Sequence, residues 1–199
     1  MSRTGVKVIE SSLPGVLVIE PQIFRDGRGL FLECWNDRQF RMHTGVELRF
    51  VQDNHSRSTK GVLRGLHFQR THPQGKLVRV STGAVWDVVV DLRLSSPTFG
   101  KSFGLRLCGE NQRQLWIPPG LAHGFLVLSD LADFQYKTTE YWIPEDEYAL
   151  RWNDQTVAVQ WPLDEIGNGA GDVSWPQLAQ RDREAPLLSE LLAAGLVYA

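Results

Sequence analysis

Two side chains with chemical potential, His67 and Lys76, occur in GVLRGLHFQRTHPQGKLVRVSTG, residues 61–83, and a third, Tyr136, in DFQYKTTEYW. Side chains alternate between faces along an extended chain, so His67 and Gln69 share a face opposite Leu66 and Phe68. Lys76 then opens a second run whose face it shares with Val78 and Val80. A histidine, with an ordinary pKa of about 6.5, accepts a proton near neutral pH. A fixed ammonium stabilises an oxyanion, the species formed when a proton leaves the carbon next to a ketone. With an acid on the far face, for which Tyr136 is the candidate, such a set inverts configuration at that carbon. Each residue also has a plainer explanation. A lone strand histidine is more often a core or surface group than a base, a strand-end lysine is commonly solvated, and a tyrosine usually packs its ring and exposes its hydroxyl.

The elements that must hold these residues are short strands. Apolar and β-branched runs recur between turn residues: GVLVIEP, GRGLFLECW, ELRFVQDN, GVLRGLHFQ, KLVRVSTG, AVWDVVVDLR, SFGLRLCG, QLWIPPG, HGFLVLS, DFQYKTTEYW, ALRWND and VAVQWP. This spacing predicts an all-β sandwich or barrel, and a jelly roll with a ligand in its mouth suits the strand number. Helices are expected only at NDRQFRMHTG (36–45), closing at Gly45, and APLLSELLAAG (185–195), with Pro186 near its start and Gly195 past its end. LDEIGNGAGDVS (163–174) reads as a flexible acidic loop. No repeat or composition break appears, so residues 1–199 read as one domain, with 163–199 a loop and helical tail packed on it.

The net charge of -2, with both signs interspersed, gives no footprint for a nucleic-acid partner. Any anionic ligand is expected to be small. Cys34 and Cys108 stand singly, with neither metal-ligand spacing nor a disulfide framework. The N-terminus MSRTGVKVIE lacks the apolar core of a signal peptide, and no apolar run reaches the roughly 18 residues of a membrane helix. A cytoplasmic protein without membrane contact is expected.

The motifs resemble the cupin frame, a jelly roll that binds metal through two histidines and a glutamate, then a further histidine. His67 takes the first histidine place, Gln69 stands at the second, and Lys76 falls at the glutamate place, followed after six intervening residues by Gly83. In PPGLAHGF, Pro118 and Gly120 precede His123, the last ligand place. Two of the four ligands are thus replaced, and an ammonium repels a cation in a low-dielectric cavity. A metal-free pocket with a fixed positive charge is the expectation.

A closer resemblance covers Leu13 to Leu188. EPQIFRDGRGLFLE, FVQDNHSRS, GVLRGLHFQ, QGKLVRV, WDVVVDLR, SPTFG, RQLWIPPGLAHGFLVLS, YKTTEYW and APLL, in that order, are similar to the dTDP-4-dehydrorhamnose 3,5-epimerase family. The resemblance implies a homodimeric jelly roll acting on dTDP-4-keto-6-deoxy-D-glucose with no cofactor. It implies that His67 is the base, that Asp182 in LAQRDREAPLL orients and charges it, that Lys76 steadies the enolate oxygen, and that Tyr136 is the opposing acid. It places Phe24, Arg28, Glu33, Gln52, Asn54, Arg64, His123 and Trp142 around the substrate, with Asp87 supporting the site through His123. Without the resemblance, Asp182 reads as a helix cap and Arg28 and Arg64 as surface charges, although arginine also suits bidentate phosphate contacts.

Three departures stand out: Trp142 replaces an aromatic that is commonly tyrosine, IGNGAGDVSWP (166–176) lengthens the segment before Asp182, and Leu32 stands where another aromatic is common. Alternatives remain. They are a mono-epimerase acting at carbon 3 or carbon 5 alone, a jelly roll that binds a sugar nucleotide without catalysis, and a metal-dependent cupin, which Gln69 and Lys76 disfavour.

Overall fold

The computed structural model describes residues 5–167 and 176–199. In chain order its elements are β1 (Lys7–Glu10), β2 (Leu17–Glu20), β3 (Ile23–Asp26), β4 (Gly29–Leu32), α1 (Asp37–Thr44), β5 (Gln52–Thr59), β6 (Leu63–Gln69), β7 (Lys76–Thr82) and β8 (Ala84–Asp91). There follow β9 (Ser102–Cys108), β10 (Gln114–Ile117), β11 (Leu121–Val127), β12 (Leu131–Thr138), β13 (Glu147–Ala149), α2 (Gln180–Arg183) and α3 (Leu188–Ala193).

The strands form the expected antiparallel jelly roll. One sheet runs β1-β2-β10-β7-β12-β5, the other β13-β6-β11-β8-β9, and β3-β4 stands apart as a hairpin. Alternation explains the layers. Val78 and Val80 of β7 and Phe134 of β12 face Val85, Val89 and Phe125 of the opposite sheet in one core cluster. Phe125 and Phe134 stack with centroids 4.1 Å apart, and each such side chain taken from water contributes about 1.5–3 kcal/mol.

Strands β8 and β11 are nearly continuous apolar runs because both of their faces are covered. Their outer face, with Val88, Val90 and Leu92, packs against Leu150, Leu188 and Leu191 from the C-terminal third. Helix α1 starts at the Asn36 cap, whose side chain accepts from the Gln39 N–H, and ends at a left-handed Gly45.

Several expected boundaries differ. ELRFVQDN becomes strand only from Gln52, ALRWND gives way to β13 a few residues earlier, and VAVQWP is not a strand. There Val157 is apolar because it is buried against the outer sheet face, while Asp154 Oδ1 accepts from the N–H groups of Thr156 and Val157 in a turn. Helix α3 begins at Leu188, with the Leu187 N–H donating to Glu190 Oε2, so Asp182 does not cap it. In the acidic stretch after Pro162, Leu163–Glu165 forms a 3-10 turn. The rest of the long insertion, 168–175, lies outside the described residues.

Candidate active site

Between the sheets, at one end of the sandwich, lies a cavity of about 300 Å³. Three of the polar side chains on it stand two residues from core positions of their own strands: Lys76 precedes Val78, Tyr136 follows Phe134, and His123 precedes Phe125. A histidine and a lysine can therefore point as core residues point, because the core ends where they begin.

His67 on β6 and His123 on β11 are directly opposite in register. The strands approach closely there because β6 carries Gly65 two residues before His67 and β11 carries Gly124 next to His123. A Cβ on Gly65 would stand 2.6 Å from Gly124 Cα, and one on Gly124 would stand 2.5 Å from the Arg64 carbonyl oxygen. Each histidine has its own carboxylate. His67 Nε2 lies 2.6 Å from Asp182 Oδ1, and the Gly65 N–H reaches Asp182 Oδ2 at 3.3 Å. A carboxylate accepts, so Nε2–H donates and Nδ1 is left to take a proton. His123 Nε2 lies 2.9 Å from Asp87 Oδ2, and Asp87 Oδ1 has no partner among the described residues.

Lys76 is buried, and loss of solvation lowers its pKa to about 8, against an opposing pull from Glu147 and Asp87. Burial, reinforced by Glu147, pushes the Tyr136 hydroxyl up, so it stays protonated at neutral pH. Burial also pushes the Asp87 carboxyl up, against the pull of His123 and Lys76. Arg64 lines the mouth and donates from Nε to Ser58 Oγ at 3.1 Å. Arg181, next to Asp182, pairs with Glu147 and lies 3.6 Å from Asp182 Oδ1.

Of the residues expected at the site, the structure brings His67, Lys76, Tyr136, Asn54, Arg64, His123 and Trp142 to the cavity wall. Asp182 and Asp87 stand behind the two histidines, and Gln52 behind Asn54, to whose Oδ1 it donates at 2.9 Å. Phe24, Arg28 and Glu33 do not reach the cavity within one chain. Phe24 and Arg28 sit on the β3-β4 hairpin, where Arg28 is 90% exposed and folds back onto Asp26. Glu33 follows β4 and accepts from Asn36 Nδ2.

Ser56, Gln74, Phe134, Glu147 and Arg181 also line the cavity and went unnoticed in the sequence. Ser56 was findable by two-residue periodicity from Gln52 and Asn54. Arg181 was findable by its adjacency to Asp182.

The donor set does not fit a divalent cation. Both histidines commit Nε2 to aspartates, Lys76 is a cation, and the Gln69 amide is spent on backbone groups. Among the described residues no three His, Cys, Asp or Glu side chains gather as ligands.

Fold and cavity together give the class: a cupin-type jelly roll whose metal-ligand places carry His67, Gln69, Lys76 and His123. More narrowly, residues 10–190 match the family model of dTDP-4-dehydrorhamnose 3,5-epimerase, and the chain belongs to that family. The dTDP-4-dehydrorhamnose 3,5-epimerase of Escherichia coli (strain K12) is 54% identical over 193 residues, covering 96% of this chain and 100% of that one. The solved dTDP-6-deoxy-D-glucose-3,5-epimerase of Legionella pneumophila Philadelphia 1, in complex with dTDP-4-keto-L-rhamnose, is 47% identical with a TM-score of 0.88 over 97% of each chain. A 3'-monoepimerase from Streptomyces bikiniensis, in complex with dTDP-quinovose, is 31% identical with a TM-score of 0.85, covering 95% of this chain and 91% of that one.

Proposed function

We propose that this isomerase converts dTDP-4-dehydro-6-deoxy-D-glucose to dTDP-4-dehydro-L-rhamnose by moving protons at carbons 5 and 3. The observation that carries the mechanism is the convergence of His67, Lys76 and Tyr136 on one cavity. His67 Nδ1 takes the proton from the carbon beside the ketone, and Asp182 balances the imidazolium that forms. The Lys76 ammonium faces the oxygen that becomes the enolate, in a site where its charge is poorly screened. The Tyr136 hydroxyl returns a proton from the opposite face, inverting the centre. One inversion leaves an imidazolium and a phenolate, so the pair must exchange protons with water before the next. Solvent hydrogen therefore enters the sugar at every inverted carbon.

Proton NMR of the substrate incubated with the protein in deuterated water tests this, with carbons 3 and 5 followed separately. Deuterium at both, with the product captured by a reductase as the L-rhamnose nucleotide, is expected. Exchange at one carbon makes the chain a mono-epimerase, and exchange at neither overturns the proposal.

A homodimer is part of the same proposal. Phe24 and Arg28 lie on an exposed hairpin tied to the body by the Arg25 guanidinium on the Glu110 carbonyl, and Phe31 beside them is 71% exposed. A second copy would cover these aromatics and place Arg28 at its neighbour's cavity. Mixing Arg28→Ala with His67→Asn protein should then restore about a quarter of the native activity, because half the dimers are mixed and each mixed dimer has one intact site. No restoration on mixing would remove the shared site. We place the protein in the cytoplasm, as one domain with its tail. Its two cysteines are free, and among the described residues no helix is long and apolar enough to cross a membrane.

A further inference from the structure

Past Thr138 the β12 ladder ends, and Thr139 pairs with Gly75. The next four residues are held by the side-chain amides of three glutamines. Gln74 Nε2 donates to the Glu140 carbonyl at 3.0 Å and Gln69 Nε2 to the Tyr141 carbonyl at 3.1 Å. Gln52 Oε1 accepts from the Trp142 N–H at 3.1 Å and Gln69 Oε1 from the Ile143 N–H at 2.8 Å. The Gln69 amide thus grips the chain on both sides of Trp142, and its second N–H goes to the His72 carbonyl at 2.8 Å. Gln69 is buried and does not line the cavity, whereas the Trp142 ring does, at 51% exposure.

A loop held by side-chain amides at four consecutive residues has little freedom, yet the ring at its centre is left half in water. The pattern suits a preformed wall awaiting a ligand face rather than a packing element. Trp142 borders the same cavity as His67, Lys76 and Tyr136. We propose that Gln69, at the place where a cupin carries its second histidine, is a positioning residue that acts through Trp142, fixing the indole as the wall that orients the keto sugar. Gln52 and Gln74 complete the cradle. This rests on the epimerase proposal for the substrate, but the grip on Trp142 is testable without turnover.

Gln69→Met keeps the side-chain length and removes the amide. With Trp142 present, kcat/KM for deuterium exchange is expected to fall about tenfold, the loss typical of an orienting contact. In a Trp142→Ala background the same substitution should change kcat/KM less than about twofold, because coupled residues are non-additive. Equal losses in both backgrounds, or no loss in the native background, would overturn the proposal.

The second readout is 19F NMR of protein carrying 5-fluorotryptophan at its seven tryptophans, with the Trp142 signal assigned by Trp142→Phe. Gln69→Met should move or broaden that signal selectively. An unmoved Trp142 signal, or equal shifts of all seven, would overturn the grip. If native protein exchanges no deuterium while the signal moves selectively, the function fails and the grip stands. If Gln69→Met does not fold, Gln69→Asn, which withdraws the amide by one carbon, replaces it in both measurements.

Discussion

Two histidine–aspartate pairs face each other across one strand register, and their surroundings differ. In the first, His67 comes from β6, and Asp182 comes from α2, 115 residues further along the chain. Both Asp182 oxygens have donors, from His67 and from the Gly65 N–H, and the histidine side chain is 17% exposed toward the cavity. In the second, His123 and Asp87 come from adjacent strands, the histidine is 8% exposed, and one Asp87 oxygen has no partner among the described residues. A satisfied carboxylate behind an accessible imidazole suits a base that must charge and discharge at each turnover. A buried carboxylate with an oxygen to spare acts at short range on its surroundings, and its charge is among those that hold up the lowered pKa of Lys76.

Substitutions that separate the pairs follow from the largest expected effect to the smallest. His67→Asn should lower deuterium exchange by about four orders of magnitude, since it removes the proposed base. If His123→Asn matched that loss while His67→Asn kept activity, the roles of the pairs would be reversed. Lys76→Met should lower kcat by about 10³-fold, as for loss of an oxyanion partner.

Lys76→Met should also make the protein more stable. Below about pH 8 the ammonium is charged in both the folded and the unfolded chain, and burial penalises the folded one. Between about 8 and the ordinary lysine value of 10.5 the folded chain sheds its proton first, so this penalty fades as pH rises. At neutral pH its removal should add on the order of 1–3 kcal/mol in urea unfolding, a difference that disappears at high pH. Native turnover should correspondingly decline as pH rises through about 8, where the ammonium is lost.

Asp182→Asn should lower kcat about 100-fold by leaving the imidazolium without its counter-charge. The alkaline decline should stay where it was, since Asp182 is not among the groups acting on Lys76. Asp87→Asn should cost only about tenfold at neutral pH and move the alkaline decline below about 8, because a negative charge that favours the ammonium is gone. A pH profile shifted by Asp182→Asn and not by Asp87→Asn would contradict the division of labour.

Much of this was legible in the sequence, for physical reasons that also mark where legibility ended. Period-two alternation located β6 and β7, and short apolar runs between turn residues located β8 and β12. Asn36 and Gly45 marked both ends of α1 because caps act locally. VAVQWP misled because Val157 and Trp161 are apolar to cover the outside of a sheet, and packing on a sheet imposes no ladder. Asp182 looked like a cap because its true partner is distant in sequence. Glu147 gives no signal at all, since its relation to Arg181 exists only after β13 has joined β6. Phe24 and Arg28 were singled out by resemblance alone, and their distance from the cavity in one chain is a matter of geometry that a linear motif does not carry.

The origin of Asp182 has a temporal consequence. A ribosome makes β6 and β11 long before α2, so the strands that carry His67, Lys76 and Tyr136 are synthesised well ahead of the segment that supplies Asp182. Until that segment docks, His67 has no counter-ion and the Gly65 N–H no acceptor. On the proposed mechanism the counter-charge behind His67 therefore arrives last, and a chain that stops before Asp182 should turn over substrate no faster than Asp182→Asn does.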